Sequence, residues 1–292
     1  MAHPLNEDSA RHQFADEVRR YYDANTERFE RLGQGAAFVH RGVWAPGVNT
    51  PDQAFTYVER FILEHLQQFS MPTVVDLGCG LGASLIYLAR HRPMTGEGIT
   101  ISPIQAMRAE ELSVAAGLAG RVRCRVGNFL ALPGDLQNID LAFSIEAFVH
   151  SPDAARYFRE AARILRPGGR LIICDDFLTA ETSTHSSRRT ERWIAEFRRG
   201  WHVGSLLSVE QARLMGREAG LQLVCDRDLT AYLRLDAARD RLLRLAADVA
   251  QTLPFVARSK YWNSMVGGAA LQRGLRAGVL AYRIIGFERV QL

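Results

Sequence analysis

Apolar residues fall into short runs separated by longer stretches of helical spacing through most of the chain. Residues 73–77, 95–100, 121–127, 139–145 and 170–175 are apolar or alternate with period two, which predicts strands. Helices are predicted at 82–91, after Ser102-Pro103-Ile104-Gln105, and at 153–165. Leu165-Arg166-Pro167-Gly168-Gly169 predicts a turn before the fifth strand. Strands alternating with helices imply a parallel sheet wound on both faces. Right-handed crossovers then bring the loops that follow the strands to one edge, where ligands bind.

The flanks are less regular. Residues 11–32 predict a polar helix with Phe14, Val18, Tyr21 and Tyr22 on or near one face, and 33–50 a glycine-rich loop. Thr50-Pro51-Asp52-Gln53 sets threonine at the N-cap, proline at N1 and glutamine at N3. The helix it opens carries Phe55, Val58, Phe61, Ile62 and Leu66 on one face and ends at Met71-Pro72. Residues 180–205 are polar and arginine-rich and are read as an inserted cap. Ser208-Val209-Glu210-Gln211 opens another helix that closes near Gly220. A strand at 221–229, helices near 236–250 and 264–277, and a last strand at 279–290 complete seven strands. The expected organisation is an N-terminal helix and loop lid over 1–50 and an α/β domain over 51–292.

Composition narrows the class. With 292 residues, 47% hydrophobic and 23% charged, the chain has the balance of a soluble globular protein. No apolar run is long enough to span a bilayer, and the polar start lacks a signal-peptide pattern, so a cytoplasmic location is expected. Cys79, Cys124, Cys174 and Cys225 are widely spaced and predict buried free thiols rather than a zinc site. The net charge of +4 is almost all arginine on the basic side, since Lys260 is the only lysine. No basic run is interleaved with aromatics in the manner of a single-strand binder, so nucleic acid is not an expected partner.

Val74-Val75-Asp76-Leu77-Gly78-Cys79-Gly80-Leu81-Gly82 is the densest chemical signal. A strand running into a glycine turn and then a helix cradles a nucleotide-like cofactor. Gly78-x-Gly80-x-x-Ala83 satisfies a relaxed dinucleotide fingerprint, but the second strand ends in Thr100 where a nicotinamide enzyme wants an acid. A P-loop is excluded because no Gly-Lys-Ser/Thr follows.

Five pieces in order resemble the small-molecule branch of the class I S-adenosylmethionine (SAM) methyltransferases. They are Val75 to Gly80, Gly98-Ile99-Thr100-Ile101-Ser102-Pro103-x-Gln105, Gly127-Asn128-Phe129, Ser144 to Asp153, and Leu165 to Gly169. The resemblance implies a Rossmann-like, mostly parallel seven-stranded sheet and SAM as cofactor. It implies that Gly78 and Gly80 make room for the methionine part, and that Thr100 and Gln105 stand at the ribose or amino-acid end. Asn128 would meet the adenine amino group and Phe129 would border the ring, and Ser144 joins this set. Asp76 is read as ordering the glycine loop. Plain alternatives stay open: Gln105 as a helix cap and Phe129 as core.

The candidates for chemistry are Glu146 and His150 after the fourth strand and Asp175 at the end of the fifth. In the resembling enzymes the His150 and Asp175 positions supply a base and its orienting carboxylate. Glu146 or His150 would take the proton lost after alkene C-methylation. Alternatively, His150 hydrogen-bonds its own turn and Glu146 binds the cofactor ammonium. Asp176 is read as a solvated neighbour of Asp175. Tyr21, Tyr22, His40, Trp44, Trp193, Phe197 and Trp201 are candidates for an aromatic acceptor pocket, with cap core as the alternative. Arg188, Arg189, Arg192, Arg198 and Arg199 are read as a solvated helix face, with a diphosphate clamp as the alternative.

The favoured expectation is SAM-dependent C-methylation of an isoprenoid-type small molecule. The alternative is O- or N-methylation of a sugar, polyketide or amine with His150 as base. A nicotinamide oxidoreductase and a non-catalytic SAM-binding protein are the other classes. Homo-oligomerisation is left open, since the N-terminal helix could dock on its own domain or on a neighbour's.

Overall fold

A computed structural model describes residues 4–32, 40–184, 187–235 and 260–290. The predicted helix at 236–250 lies outside the described residues. The strands are β1 (Thr73–Leu77), β2 (Thr95–Thr100), β3 (Val122–Val126), β4 (Ile139–Ile145), β5 (Leu165–Leu178), β6 (Leu221–Asp228) and β7 (Leu280–Arg289). They form one sheet in the order β3-β2-β1-β4-β5-β7-β6. β1 pairs in parallel with both β2 and β4, and the parallel pairing continues outward to β3 and β5. β7 runs antiparallel between β5 and β6.

Period-two alternation sends each central strand's side chains to two separate cores. Val74, Leu141, Phe143, Ile172 and Cys174 face a core with Phe61, Ile62, Leu66, Leu85, Leu88, Leu271 and Leu275. These come from α3 (Tyr57–Leu66), α4 (Ala83–His91) and α10 (Lys260–Arg276). Val75, Leu77, Ala142, Leu171 and Ile173 face the other core, with Tyr157, Phe158, Ala161, Ile164 and Ala212. Those belong to α6 (Ala154–Ile164) and α9 (Val209–Glu218). The remaining helices are α1 (Pro4–Leu32), α2 (Pro51–Phe55), α5 (Pro103–Ala115), α7 (Ala180–Thr184) and α8 (Arg188–Trp201). Among the described residues no helix is long and apolar enough to cross a membrane.

The predicted caps form. Thr50 and Ser208 each close a capping box, and Ser102 accepts the Gln105 amide. The helix opened by Thr50 is broken, however, at Thr56 (φ −104°, ψ 12°), giving α2 and α3. Thr56 Oγ1 donates to the Asp52 carbonyl at 2.7 Å, a local bond that competes with regular helix. The turn predicted at 165–169 lies inside β5. Pairing jumps from Ile139↔Leu165 to Leu141↔Arg170, and Gly168 takes φ +73° to make the excursion. All four cysteines are free, and Cys79, Cys124 and Cys174 are buried.

β1 and β4 are adjacent although β2 and β3 intervene in sequence, so their carboxyl ends form the topological switch point where a crevice opens. The rigidity of that edge depends on the aromatic core beneath it. Phe158 is fully buried and meets Phe148, Tyr157 and Phe287 edge-on or tilted at ring distances of 5.6, 5.7 and 5.3 Å. Phe158→Ala is expected to cost about 3–5 kcal/mol, measured as a lower midpoint in denaturant unfolding.

Candidate active site

The carboxyl ends of β1, β2, β4 and β5 open into a cavity of about 770 Å³. Asp76, Gly78, Gly80, Thr100, Gln105, Asn128 and Phe129 line its sheet side, with Glu146, His150 and Asp175 beside them. α1 covers it with Ala15, Val18, Tyr21 and Tyr22, and the opposite wall is Phe197, Trp201, Leu271 and Leu275.

The glycine loop is strained in the way glycine permits. Gly78, Gly80 and Gly82 have φ of +108°, +52° and +74°. The amides of Gly78 and Cys79 both donate to the Ile99 carbonyl, at 2.9 and 3.0 Å, which ties the loop to β2. A Cβ at Gly78 would stand 2.4 Å from the Ala147 Cβ, whereas one at Gly80 would meet nothing within 4 Å. The first glycine is therefore required by packing, and the second leaves the loop bare toward the cavity. Asp76 does not order this loop as expected from the sequence. Its carboxyl is 4% exposed and takes no hydrogen bond from the described residues.

At the end of β2, Thr100 Oγ1 donates to Gln105 Oε1 at 3.0 Å and accepts the Ser102 amide at 3.3 Å. Gln105 thus does more than continue its helix: its side chain is fixed at the cavity wall. Asp23 of α1 reaches the same corner by accepting from the Ser102 hydroxyl. Asn128 Oδ1 accepts the Leu130 amide at 2.9 Å, so its amide group holds its own turn while facing the cavity. Phe129 packs edge-on against Tyr157 at 5.4 Å. Ser144 is a correction. It lies fully buried with its hydroxyl 2.8 Å from Tyr157 Oη, because strand alternation turns it toward α6 and away from the cavity.

The largest departure from expectation is Arg41, which the sequence reading passed over between His40 and Trp44. Its Nη1 and Nη2 donate to the two oxygens of Asp176 at 2.9 and 2.8 Å. Its Nε and backbone amide both donate to Glu146 Oε1, at 3.0 and 2.9 Å. Tyr282 Oη donates to the same Glu146 oxygen at 2.9 Å, and the guanidinium lies 4.0 Å from the Tyr282 ring centre. Asp176 is therefore buried and paired, not solvated. Burial pushes the Glu146 carboxyl up, but Arg41 and the nearby His40 outweigh it and leave it below its ordinary value. Glu146 also takes φ +51°, a conformation costly for a residue with a Cβ.

His150 is placed differently. Nδ1 donates to the His202 carbonyl at 3.1 Å, since a carbonyl only accepts. That leaves Nε2 as the acceptor, 2.8 Å from Tyr22 Oη. Burial lowers the His150 pKa and raises that of Tyr22, so both are neutral at pH 7. Asp175 does not orient the imidazole as expected. Its two oxygens accept the amides of Val149 and Asp176 at 3.1 and 2.9 Å. It fixes the turn at 148–150 through the backbone. Burial and then Asp176 raise its pKa well above the ordinary value.

Of the aromatic set, Tyr21, Tyr22, His40, Trp44, Phe197 and Trp201 line the cavity. Trp193 does not, and packs on the core beside Ile194. It stands eight residues before Trp201, about 12 Å along the helix. None of Arg188, Arg189, Arg192, Arg198 and Arg199 reaches the cavity. Arg192 pairs with Glu196 at 2.8 Å and Arg198 donates to the Gly204 carbonyl at 3.0 Å. Glu59, also passed over, is fully buried on α3, where Oε1 accepts His40 Nε2 at 2.9 Å and Ser84 Oγ at 2.6 Å. Burial opposes charge on His40, but Glu59 holds its pKa up at about 9. An acid among the core-facing residues of a helix was the available signal.

Known proteins agree with this geometry. The family model for a methyltransferase domain matches residues 75–173. The 27-O-demethylrifamycin SV methyltransferase of Amycolatopsis mediterranei (strain S699) is 30% identical over 220 residues, 75% of this chain and 78% of that protein. The chain belongs to the class I SAM-dependent methyltransferases. Cycloartenol-C-24-methyltransferase 1 of Oryza sativa subsp. japonica is 26% identical over 80% of this chain and 68% of its own length. The geranyl diphosphate C-methyltransferase of Streptomyces coelicolor A3(2), solved with Mg2+, geranyl diphosphate and S-adenosyl-L-homocysteine, superposes with a TM-score of 0.71. It is 20% identical and covers 95% of this chain and 98% of that one, a likeness of fold. The methyltransferase uses SAM, and the site fits it: a bare glycine, an unpartnered buried acid and an aromatic border lie along one wall.

The two glycines separate fold from ligand. Gly78→Ala should lower Tm by several degrees through the clash with Ala147. Gly80→Val should weaken SAM binding about tenfold or more, about 1.4 kcal/mol, beyond any change in Tm. Calorimetry with SAM and a thermal melt of each variant check the pair.

Proposed function

We propose that this methyltransferase moves a methyl group to a hydroxyl oxygen of a lipophilic small molecule, with His150 as general base. The observation that carries the reading is the acceptor Nε2 of His150, which takes the Tyr22 hydroxyl at 2.8 Å on the cavity wall, the kind of bond an acceptor hydroxyl would make there. A neutral imidazole with its other nitrogen fixed on a carbonyl can take a proton at Nε2 once an acceptor hydroxyl stands in place of the Tyr22 hydroxyl. The sulfonium methyl of SAM supplies the electrophile. The protein's task is to align the acceptor, exclude water and receive the acceptor's proton.

Gly78 and Gly80 bound the methionine part, Thr100 and Gln105 the ribose, and Asn128 and Phe129 the adenine. Tyr21, Tyr22, Trp44, Phe197 and Trp201 face the acceptor, with Leu271 and Leu275 behind them. α1 and residues 40–45 act as a lid. Tyr22 on His150, Asp23 on Ser102 and Arg41 on Glu146 tie that lid to the sheet edge. Arg41 is committed to two carboxylates and the α8 arginines lie outside the cavity, whereas Arg234 lines it, over the Trp44 ring. C-methylation with Glu146 as proton acceptor is disfavoured. Three donors converge on one of its oxygens and hold its basicity down. The rifamycin relative, an O-methyltransferase by its name, supports the same choice.

His150→Ala is expected to lower kcat by about 10²-fold or more while leaving SAM affinity within about threefold. The base must be unprotonated, and burial holds its pKa below the ordinary value of about 6.5. Activity should therefore be flat above neutral pH and fall on the acid side, and the acid limb should vanish in the variant. Isolation of a C-methylated product, or a His150→Ala enzyme of wild-type kcat, overturns the reading.

A further inference from the structure

One cation on the cavity wall has no counter-charge. Arg234 lines the cavity just after the short turn Thr230–Tyr232. Its guanidinium lies over the Trp44 ring, 3.1 Å from the ring centre. Arg41, the other arginine lining the cavity, spends its donors on Glu146 and Asp176. Arg234 meets neither a carboxylate nor a carbonyl among the described residues.

The backbone brings this stack together. The Trp44 amide donates to the Tyr232 carbonyl at 2.8 Å, and Val43 pairs antiparallel with Leu233. On the far side, Arg276 of α10 donates to the Leu235 carbonyl at 3.1 Å. Arg234 therefore stands between two pinned residues, with an indole under its face. A guanidinium stacked in this way keeps its N–H donors in its own plane, pointing away from the ring. There they can meet both oxygens of a carboxylate or phosphate at once. Arg234 is exposed whereas His150 is buried, so the cation marks the mouth of the cavity and the imidazole its interior. Apolar side chains, Phe197, Leu271 and Leu275, line the same cavity.

We infer that Arg234, stacked on Trp44, binds an anionic group of the methyl acceptor, a carboxylate or a phosphate, at the end remote from the hydroxyl that receives the methyl. The acceptor is then an amphiphile: a hydroxyl inside, an apolar body, and an anion at the mouth. The inference rests on the proposed hydroxyl acceptor for the inner end of that molecule, while the anion subsite needs nothing from His150. Arg234 is thus a specificity residue, one that selects the acceptor and leaves the chemistry to other groups.

Calorimetry on the whole chain loaded with S-adenosylhomocysteine reads the subsite with three probes: ω-hydroxydecanoate, ω-hydroxydecyl phosphate and the uncharged ω-hydroxydecanamide. At least one anion should bind about fivefold more tightly than the amide, the gain of a solvent-accessible ion pair, and the tighter anion identifies the group. The preference should shrink at high salt, because the guanidinium is exposed. Arg234→Gln should abolish it, and Arg234→Lys should restore part of it, with S-adenosylhomocysteine affinity unchanged in both. His150→Ala should keep the preference, so failure of the proposed base and failure of this subsite are separate results. A wild-type protein that does not distinguish either anion from the amide, an Arg234→Gln protein that still does, or binding of none of the three probes overturns the inference.

Discussion

A single buried guanidinium organises the carboxyl edge of this sheet. Arg41 arrives on the segment before α2 and bridges Glu146, just after β4, to Asp176 near the end of β5. Neither carboxylate could remain ionised so far from water alone. Nor could Arg41 stay buried without both of them. The lid loop and the two central strands are thus locked in one arrangement, and Glu146 keeps its left-handed backbone within it. The chain on either side of Arg41 gains its place from the same anchor. His40 is carried to Glu59, and Trp44 to the strand-like segment at 232–233 through its amide and the Val43↔Leu233 bridge.

That lock decides which acid–base group is available. Glu146 and His150 are four residues apart after the same strand, and by position alone either could serve as the base. Their environments separate them. Glu146 is stabilised as an anion by a cation and a phenol, so its affinity for a proton falls. His150 is kept neutral by burial and held by a carbonyl at Nδ1, with Nε2 accepting the Tyr22 hydroxyl. Asp175 belongs to neither. It holds the backbone of the turn, so its influence on the imidazole passes through the position of Val149 and not through a shared proton.

Much of the fold was legible from local patterns. β1 and β2 have the predicted boundaries, and Thr50, Ser102 and Ser208 cap the helices they were expected to cap. These features depend on neighbours a few residues away. That Gly78, Gly80, Thr100 and Gln105 share a cavity wall was legible for the same reason, since they fall within two successive strand–loop–helix units. The misreadings have a common cause. Arg41 meets Asp176 across 135 positions and Tyr22 meets His150 across 128, and no periodicity encodes such a pair. Asp176 looked solvated because its partner was invisible. Ser144 was assigned to the cavity by its motif, yet one step of strand alternation turned it inward. Glu59 alone left a local trace, as a charge on an otherwise apolar helix face.

The two ends of the cavity therefore differ in kind. The glycine-loop end is built from buried ionisable groups, Asp76, Glu59 and His40, with one Glu59 oxygen left without a partner among the described residues. The other end is walled mainly by aromatic and aliphatic side chains; Arg41 there is already neutralised by two carboxylates, and Arg234 lies over the Trp44 ring. An ionic ligand gains most at the first, where a fixed charge in a dry site is strongly felt. A largely apolar ligand gains most at the second, where burial of its surface is the main available term. A neutral imidazole between these two halves suits the proposed reaction, in which a charged donor meets a largely apolar acceptor and one proton must leave.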